Sequence, residues 1–299
     1  MVKQVKEKIM LMSRGEKIQN VINWILLIGI GLICIFPVYY VLAVSLTSME
    51  SFNKFGFQLI PSQLSLDAYW QILDQDLIPR AYMNSILITV AGTIINMVLT
   101  ILMAYPLANK RLPGRNIILS GVLFCLIFSG GLIPSFILVR TLGLTNTYWS
   151  VILPDAIWSW NVLILKNFFE SVPTELLEVA RIDGANEFVI MRDIVMPMSK
   201  PALATIGLFY AVAHWNDFFS PFMYLTNPRM QPLAVVLRSI LRELTGLAGM
   251  PTNVDRARMA PNDGVRMAAV FLSIIPILLI YPWLQKYFTK GIMLGSIKG

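Results

Sequence analysis

The sequence predicts an all-α integral membrane protein with six transmembrane helices. Two observations support this fold class. Of the 299 residues, 56% are apolar and only 14% are charged, whereas soluble domains carry roughly 25% charged residues. Apolar windows with few or no charged residues, each long enough to cross the roughly 30 Å hydrocarbon core of a bilayer as a helix, recur along the whole chain.

The same composition argues against several other classes of protein. The apolar content excludes intrinsic disorder, and the two cysteines, Cys34 and Cys125, both lie in apolar runs rather than in a disulfide framework. A single histidine, His214, gives little basis for metal chemistry. The net charge of +7 is spread between apolar segments, which argues against a nucleic-acid-binding surface. No His-Glu-x-x-His or Gly-x-Ser-x-Gly motif supports an enzyme.

Six windows are candidate transmembrane spans. The first is too long for the 7–15-residue apolar core of a signal peptide, so we expect a retained helix. The fourth is the most polar, because it carries Asp155 near one edge and Lys166 near the other. The predicted spans are residues 21–46, 84–109, 117–139, 148–169, 201–225 and 265–288.

The distribution of Lys and Arg predicts the orientation, since basic residues favour the cytoplasmic side. With both termini in the cytoplasm, 15 of the 24 basic residues lie on that side. Residues 1–20 are then a cytoplasmic segment, and residues 289–299 are a cytoplasmic tail. Loop 226–264 would lie outside, although its five arginines argue against this side. This loop either binds an extracellular partner or is a connection without such a role.

The connection 170–200 combines charge with helical periodicity. Six of the 17 acidic residues lie within 170–193. Leu176, Leu177 and Ala180 have the spacing of one helix face, and Gly184 is suited to end that helix. A second short helix is predicted over 186–194, with Pro197 stopping it. Such a hairpin either docks on a partner or lies on the membrane or on its own bundle.

The residues of this hairpin carry a resemblance to a known family. Glu178-Val-Ala-Arg-Ile-Asp-Gly184, nine residues and then Ile194-Val-Met-Pro197 resemble the EAA loop of permease subunits of bacterial ATP-binding-cassette (ABC) importers. The family pattern is Glu-Ala-Ala, three residues, Gly, nine residues and Ile-x-Leu-Pro. The chain departs from it only at Val179 and Met196, which are both apolar.

Matches elsewhere resemble the carbohydrate-uptake branch of that family, and Gly130-Gly-Leu-Ile-Pro134 resembles a subgroup linked to oligosaccharides of polysaccharides. These matches cover nearly the whole chain. They are Phe36-Pro-Val-Tyr39, Asn84-Ser85, Tyr105-Pro-Leu-Ala-Asn-Lys-Arg-Leu-Pro-Gly-Arg115, Trp215-Asn-Asp217 and Lys290-Gly-Ile-Met-Leu-Gly-Ser-Ile-Lys-Gly299.

The resemblance implies a type I (MetI-like) importer permease of the bacterial plasma membrane. Its expected partners are a second homologous permease in a heterodimer, two cytosolic ATPases, an extracellular solute-binding protein and the lipid bilayer. ATP and Mg²⁺ would be bound by the ATPases, with no cofactor or metal on this chain, which would itself be no enzyme. The cargo would be sugars, in particular oligosaccharides. The alternative is a stand-alone secondary carrier or channel.

The resemblance also assigns roles within the hairpin. Ala185, Phe188 and Met191 would fill a cleft of the ATPase as apolar anchors. Glu178 and Asp183 would meet basic side chains at its rim, and Gly184 would allow the tight turn. The complete predicted coupling set is Glu178, Ala180, Asp183, Gly184, Ala185, Phe188, Met191, Ile194 and Pro197.

Polar and aromatic residues inside the spans are candidates for a translocation path. Ionisable groups in lipid are costly and are therefore functional candidates, and sugars bind to aromatic faces together with hydrogen-bonding side chains. Packing against neighbouring helices or a second permease is the competing explanation. The candidates are Trp158, Trp160, Asn161, Trp215, Asn216 and Asp217, with His214 beside the last three.

Overall fold

The computed structural model describes residues 14–56, 59–74, 76–244 and 263–295. The described residues do not include all of the predicted terminal segments or of loop 226–264. Arg256 and Arg258, for example, lie outside them. The chain divides into two compact units. The first comprises Met1–Ile72 with Pro261–Phe271, and the second comprises Leu73–Ala260 with Leu272–Gly299.

The first unit is built around one long helix, α1 (Arg14–Ser45), which contains Pro37. The short helix α2 (Met49–Phe55) follows, and its backbone is capped by the Ser48 side chain. Helix α3 (Asp67–Asp74) begins in this unit. The Ser45 and Tyr69 hydroxyls lie 2.7 Å apart, and this hydrogen bond joins the end of α1 to α3.

The second unit contains the remaining helices. Its longest helix, α4, is followed by short helices and by the hairpin. The elements are α4 (Leu77–Ala108), α5 (Arg115–Ile127), α6 (Leu132–Thr141), α7 (Trp149–Ile152), α8 (Ser159–Glu170), α9 (Thr174–Ile182), α10 (Glu187–Ile190), a π-helical turn (Met191–Val195), α11 (Met196–Met198), α12 (Lys200–Asn216), α13 (Phe219–Tyr224), a 3₁₀ turn (Pro228–Met230) and α14 (Leu233–Leu244). The last helix, α15 (Asp263–Gly295), has residues in both units.

Helix α4 lies at the centre of this unit and packs against α8 and α12. Its buried face contributes Ile101, Ala104 and Leu107 to the core, where they meet buried residues of α8 and α12 such as Leu165 and Ile206. The opposite face of α4 is apolar but exposed. It carries Val90, Ile94, Val98 and Leu102, which suits contact with lipid or with another apolar helix.

The predicted spans differ from the helices in continuity. Gly15–Ser45 and Leu77–Ala108 are each long and apolar enough to cross a bilayer. Two further candidates among the described residues are bent pairs. Helices α5 and α6 meet at 114°, and the segment 187–198 meets α12 at 86°. The count of six spans stays a prediction.

Local chemistry explains where the helices break. Gly131 adopts φ 82° at the bend between α5 and α6, a conformation that favours glycine. Asp217 ends α12, and its carboxylate accepts hydrogen bonds from the backbone N–H groups of Phe219 and Ser220 at the start of α13, at 3.0 and 3.2 Å. The predicted spans 117–139 and 201–225 are therefore interrupted within their length. Span 148–169 divides into α7 and α8.

Candidate functional site

The hairpin predicted around Gly184 is present in the structure. Helix α9 ends in a Schellman motif, because Ala185 N–H donates to the Ala180 carbonyl at 3.0 Å and Gly184 N–H donates to the Arg181 carbonyl at 3.1 Å. Gly184 adopts φ 84°, as this motif requires. The side chain of Asn186 then accepts a hydrogen bond from Val189 N–H at 2.9 Å and caps α10. The two short helices are thus fixed by local hydrogen bonds.

The end of the hairpin differs from the prediction that Pro197 stops it. The chain continues as helix to Met198 through a π-helical turn, in which Met196 N–H donates to the Met191 carbonyl five residues back. A proline ring ordinarily clashes with the carbonyl four residues before it. The wider π turn separates these groups, so the break falls at Ser199.

Four large apolar side chains of α9 and α10 are exposed, and Leu176, predicted to share one face with the half-buried Leu177 and Ala180, is one of them. Ile182 is 84% exposed and Phe188 is 62% exposed, and Val179 is also exposed. Large exposed apolar groups that lie close together usually mark an interaction site. Sequence reasoning found Phe188 but missed Val179 and Ile182, although their spacing of three residues on α9 was a signal for one face.

Other predicted coupling residues point inward. Met191 is only 7% exposed and packs in the core with Ile190 and Val195. Met191, predicted as an apolar anchor in a partner's cleft, is thus buried against its own chain in this structure. Ala180 and Ala185 also pack against this core. Ile194 is half-buried, and Pro197 is exposed.

The acidic residues assigned to the rim are both exposed. A carboxylate oxygen of Glu178 lies 3.8 Å from the Arg111 guanidinium, in the turn that follows α4. Asp183 occupies the exposed end of α9. An exposed pair of this kind contributes only about 0–1 kcal/mol to stability, so the Glu178 carboxylate can exchange partners at low cost.

Glu187 joins three elements. Its Oε1 accepts a hydrogen bond from Arg181 Nε at 2.9 Å, and its Oε2 accepts one from the Tyr105 hydroxyl at 2.6 Å. Arg181 is on α9, Glu187 is on α10 and Tyr105 is near the end of α4. The hydrogen bond from Arg181, followed by that from Tyr105, lowers the pKa of the Glu187 carboxyl from its ordinary value. Sequence reasoning assigned no role to this contact.

A second charged cluster lies next to the hairpin. The Glu170 carboxylate forms ion pairs with Arg115 and with Lys166, whose Nζ lies 2.9 Å away. All three side chains are largely buried. Arg115 Nε also donates to the Leu107 carbonyl at 2.8 Å. Arg115 therefore links the ends of α4 and α8 to the start of α5.

The interior of the unit contains a seam of polar residues, which we call the polar seam: Asn96, Thr100, Tyr210 and His214. The Asn96 amide nitrogen lies 3.0 Å from His214 Nε2. The Thr100 and Tyr210 hydroxyls lie 2.7 Å apart, and Trp158 N–H donates to the Tyr210 hydroxyl at 3.1 Å. These four positions lie on α4 and α12, so the main helix contact is partly polar.

Three of the six predicted path residues are close to helix contacts in the bundle. Trp158 packs beside Tyr210, with ring centroids 5.2 Å apart. Asn161 is buried, and neither its amide nitrogen nor its amide oxygen has a hydrogen-bond partner. Trp215 Nε1 donates to the Ser273 carbonyl at 3.1 Å, and its ring meets that of Tyr82 edge-on.

The other three path candidates are placed differently. Trp160 is exposed. The Asn216 side chain donates to the Val212 carbonyl of its own helix at 2.9 Å, and Asp217 accepts the two backbone bonds that begin α13. The structure thus does not bring the six residues into one cluster of contacts. Among the described residues, no group of His, Cys, Asp and Glu could hold a metal ion.

The far end of α4 is fastened to the segment that follows α13. The Asn84 amide donates to the carbonyls of Arg229 and Gln231 at 2.9 and 3.1 Å, and its oxygen accepts a bond from the Tyr148 hydroxyl. Leu233 N–H donates to the Ser85 hydroxyl at 2.8 Å. The described start of loop 226–264 is therefore locally folded into a turn and α14.

Comparison with known proteins identifies the family. A family model described as binding-protein-dependent transport system inner membrane component matches residues 96–293, which include the polar seam and the hairpin. The chain belongs to this family. It is accordingly the permease component of such a transport system, and the predicted membrane location and MetI-like fold are confirmed.

Two relatives from Bacillus subtilis (strain 168) extend this similarity to nearly the full length. The polygalacturonan/rhamnogalacturonan transport system permease protein YtcP is 42% identical over 273 residues, which cover 91% of this chain and 96% of that protein. Protein LplC is 41% identical over 291 residues, covering 96% and 97%. The resemblance found in the hairpin thus extends over almost the whole chain.

A solved structure has the same fold. A crystal structure of a bacterial ABC transporter involved in the import of the acidic polysaccharide alginate contains a chain with a TM-score of 0.85 and 31% identity. The alignment covers 93% of this chain and 99% of that one. The fold therefore matches an importer permease along most of its length.

Proposed function

We propose that this permease carries sugars, in particular oligosaccharides, that an extracellular solute-binding protein delivers, and that two cytosolic ATPases drive it. The observation that carries the proposal is the pair of exposed apolar side chains, Ile182 and Phe188, on a hairpin of the family pattern. A relative named for polygalacturonan and rhamnogalacturonan transport at 42% identity supports the cargo class.

The chemistry of the hairpin supports docking on a protein. Full burial of a Phe or Ile side chain contributes about 1.5–3 kcal/mol, so a cleft that covers Ile182 and Phe188 would gain a useful part of a binding energy. Val179, exposed on the same helix as Ile182, would extend the apolar surface. Glu178 and Asp183 would meet basic side chains at the edge, while Ala180, Ala185, Met191 and Ile194 would support the hairpin from within.

The proposal places the hairpin, both termini and tail 289–299 in the cytoplasm, and it places loop 226–264 outside, where it would meet the solute-binding protein. ATP and Mg²⁺ would be bound by the ATPases. A second homologous permease would complete the translocation path by covering an exposed apolar face. On this chain, Trp158, Asn161 and Trp215 would contribute to that path, with Trp160, Asn216 and Asp217 at its margins.

The test is a pair of hairpin variants in the assembled complex. Phe188→Ser removes an exposed anchor, and Gly184→Val strains a residue at φ 84°. We expect both variants to lose co-purifying ATPase and ATP-dependent oligosaccharide uptake. The matched controls are Phe128→Ser, whose side chain is 61% exposed away from the hairpin, and Gly114→Val, at φ 74° in the turn before α5.

The two controls decide how a loss is interpreted. Retention of ATPase by both control variants, together with its loss in Phe188→Ser and Gly184→Val, would support the coupling role. Unchanged association and uptake in the hairpin variants would refute it. Uptake by the chain alone without any ATPase would instead establish the stand-alone carrier or channel.

A further inference from the structure

Resting on the proposed coupling role of the hairpin, we infer that Tyr105, Glu187 and Arg181 form a latch that transmits hairpin movement to α4. We call these three residues the Glu187 latch. They are positioning residues, since they act through the hairpin and α4 and not on the cargo.

The geometry of Glu187 connects the two halves of the hairpin. The Arg181–Glu187 bond, 2.9 Å long, crosses the Gly184 turn from α9 to α10. Together with the Schellman motif, this bond holds the two helices in one arrangement. A displacement of Ile182 would therefore move Phe188, and a displacement of Phe188 would move Ile182, because these hydrogen bonds hold α9 and α10 together.

The second oxygen of Glu187 connects the hairpin to the bundle. Tyr105 donates to it at 2.6 Å, and the Tyr105 ring meets Phe169 of α8 edge-on, with centroids 6.4 Å apart. A hydrogen bond to an ionised carboxylate is shorter and stronger than one between neutral groups. The carboxylate thus receives a directional bond from each side.

Helix α4 then carries the displacement to the polar seam. At a rise of about 1.5 Å per residue, Thr100 lies about 7.5 Å and Asn96 about 13.5 Å along the helix axis from Tyr105. These two residues hold Tyr210 and His214 of α12 through side-chain hydrogen bonds. The Glu187 latch therefore joins the hairpin to α4, and α4 carries two of the four residues of the polar seam, Asn96 and Thr100.

A nearby ion pair provides the contrast. Arg192 and Asp193 are adjacent in sequence, and their bond of 2.7 Å is exposed and stays within one turn. This pair joins no two helices to each other. Removal of the Asp193 charge takes away a similar charge and hydrogen bond from the same hairpin. This variant therefore distinguishes the effect of the Glu187 latch from a general effect of surface charge.

The experiment uses the complete importer in proteoliposomes, with the permease pair, ATPases, binding protein and a radiolabelled galacturonate oligosaccharide. The variants are Tyr105→Phe, Glu187→Gln and the double variant, and the control is Asp193→Asn. The measured quantities are the ATPase retained per permease, the ATP hydrolysis rate and the sugar transported per ATP hydrolysed.

We expect sugar transported per ATP to fall about fivefold in Tyr105→Phe and Glu187→Gln, as suits the loss of one hydrogen bond in a largely exposed cluster. The double variant should fall no further than the lower single variant, because both changes break the same connection. Asp193→Asn should match wild type, and all variants should retain ATPase.

Two results would overturn the latch. One is a ratio in Tyr105→Phe equal to that of wild type, and the other is independent, multiplicative losses in the double variant. Both leave the proposed function intact, because the wild-type complex would still couple ATP hydrolysis to uptake. A wild-type chain that binds no ATPase would instead refute the proposed function itself.

Discussion

The imidazole of His214 lies directly against the backbone of Gly92. A Cβ atom built on Gly92 would lie 2.6 Å from His214 Nε2, well inside any acceptable contact. The ring cannot move away without cost, since Nε2 is also 3.0 Å from the Asn96 amide nitrogen. The absence of a side chain at Gly92 thus allows α4 and α12 to approach at the polar seam.

Gly92→Ala should therefore destabilise the protein. Overpacking of a close contact costs about 1–3 kcal/mol, which exceeds the gain of up to about 1 kcal/mol that alanine brings to a helix interior. Thermal unfolding in detergent measures the change. Gly121→Ala is the matched control, because a Cβ on that helical glycine meets nothing within 4 Å and should leave the midpoint unchanged or raise it.

Removal of the His214 ring should abolish the destabilisation that Gly92→Ala causes. In the background His214→Ala, the Gly92→Ala substitution no longer meets the imidazole, so its cost should disappear. If Gly92→Ala is equally destabilising in both backgrounds, the contact with His214 is not its cause.

Glu170 should be important for stability where the ends of α4 and α8 meet the start of α5. Glu170→Gln leaves Arg115 and Lys166 together without their shared counter-charge, in a largely buried place. We expect a loss of about 1–3 kcal/mol in the free energy of unfolding, below the 3–5 kcal/mol for fully buried pairs. Asp76→Asn, which breaks an exposed pair with Arg80, should change it by less than about 0.5 kcal/mol. Equal effects would contradict the assignment.

A variant of Asn161 can show whether this residue contacts the cargo or only packs between helices. Its buried amide has no hydrogen-bond partner, and an apolar group of similar shape in such a place is often neutral or stabilising. Asn161→Leu should therefore preserve or raise the unfolding midpoint. If Asn161 contacts cargo, the same variant should lower uptake at unchanged ATPase association. Unchanged uptake would remove it from the path.

The Glu187 carboxylate gives the hairpin a pH dependence. Hydrogen bonds from Arg181 and Tyr105 lower its pKa below the ordinary value of 4.5, so the stabilisation is complete above pH 4.5 and is lost as the pH falls through the folded-state pKa. The pair is largely exposed, so the effect should be no more than about 1 kcal/mol. Hydrogen exchange of 174–190, compared between wild type and Glu187→Gln at each pH, measures it.

The difference between the two proteins should be present at pH 7 and should shrink as the pH falls below 4.5 through the lowered folded-state pKa of Glu187. Glu175→Gln, a change in an exposed carboxylate of α9, serves as the control and should leave the pH dependence as in wild type. A wild-type advantage that does not decrease as the pH is lowered from 7 through the acid range would contradict the assignment.

The hairpin was predictable from sequence because its determinants are local. Gly184, the apolar spacing of Leu177 and Ala180, and the acidic first turn of α9 each act within a few residues. The family pattern then gave the fold, since its spacing of glycine and proline is preserved around Gly184. What a residue does within its own turn can be read from its neighbours in the sequence.

The remaining features depend on residues far apart in the chain. Met191 is buried at the start of a π turn, and no spacing rule at the level of single residues signals such a turn. Tyr105 and Glu187 are 82 positions apart, and Asn96 and His214 are 118 apart. The helix breaks at Gly131 and Asp217 arose within windows whose average hydropathy is high, and a hydropathy average does not detect them.

Arg115 has a consequence for the interpretation of natural variants. Its guanidinium meets the Glu170 carboxylate and the Leu107 carbonyl at once, and only a planar fork with several donors satisfies both directions. Lysine has one compact ammonium group and would satisfy one of them. An exchange of arginine for lysine, which substitution scores treat as nearly silent, would here remove one of the two links from the start of α5 to α4 and α8 while keeping the net charge of the chain.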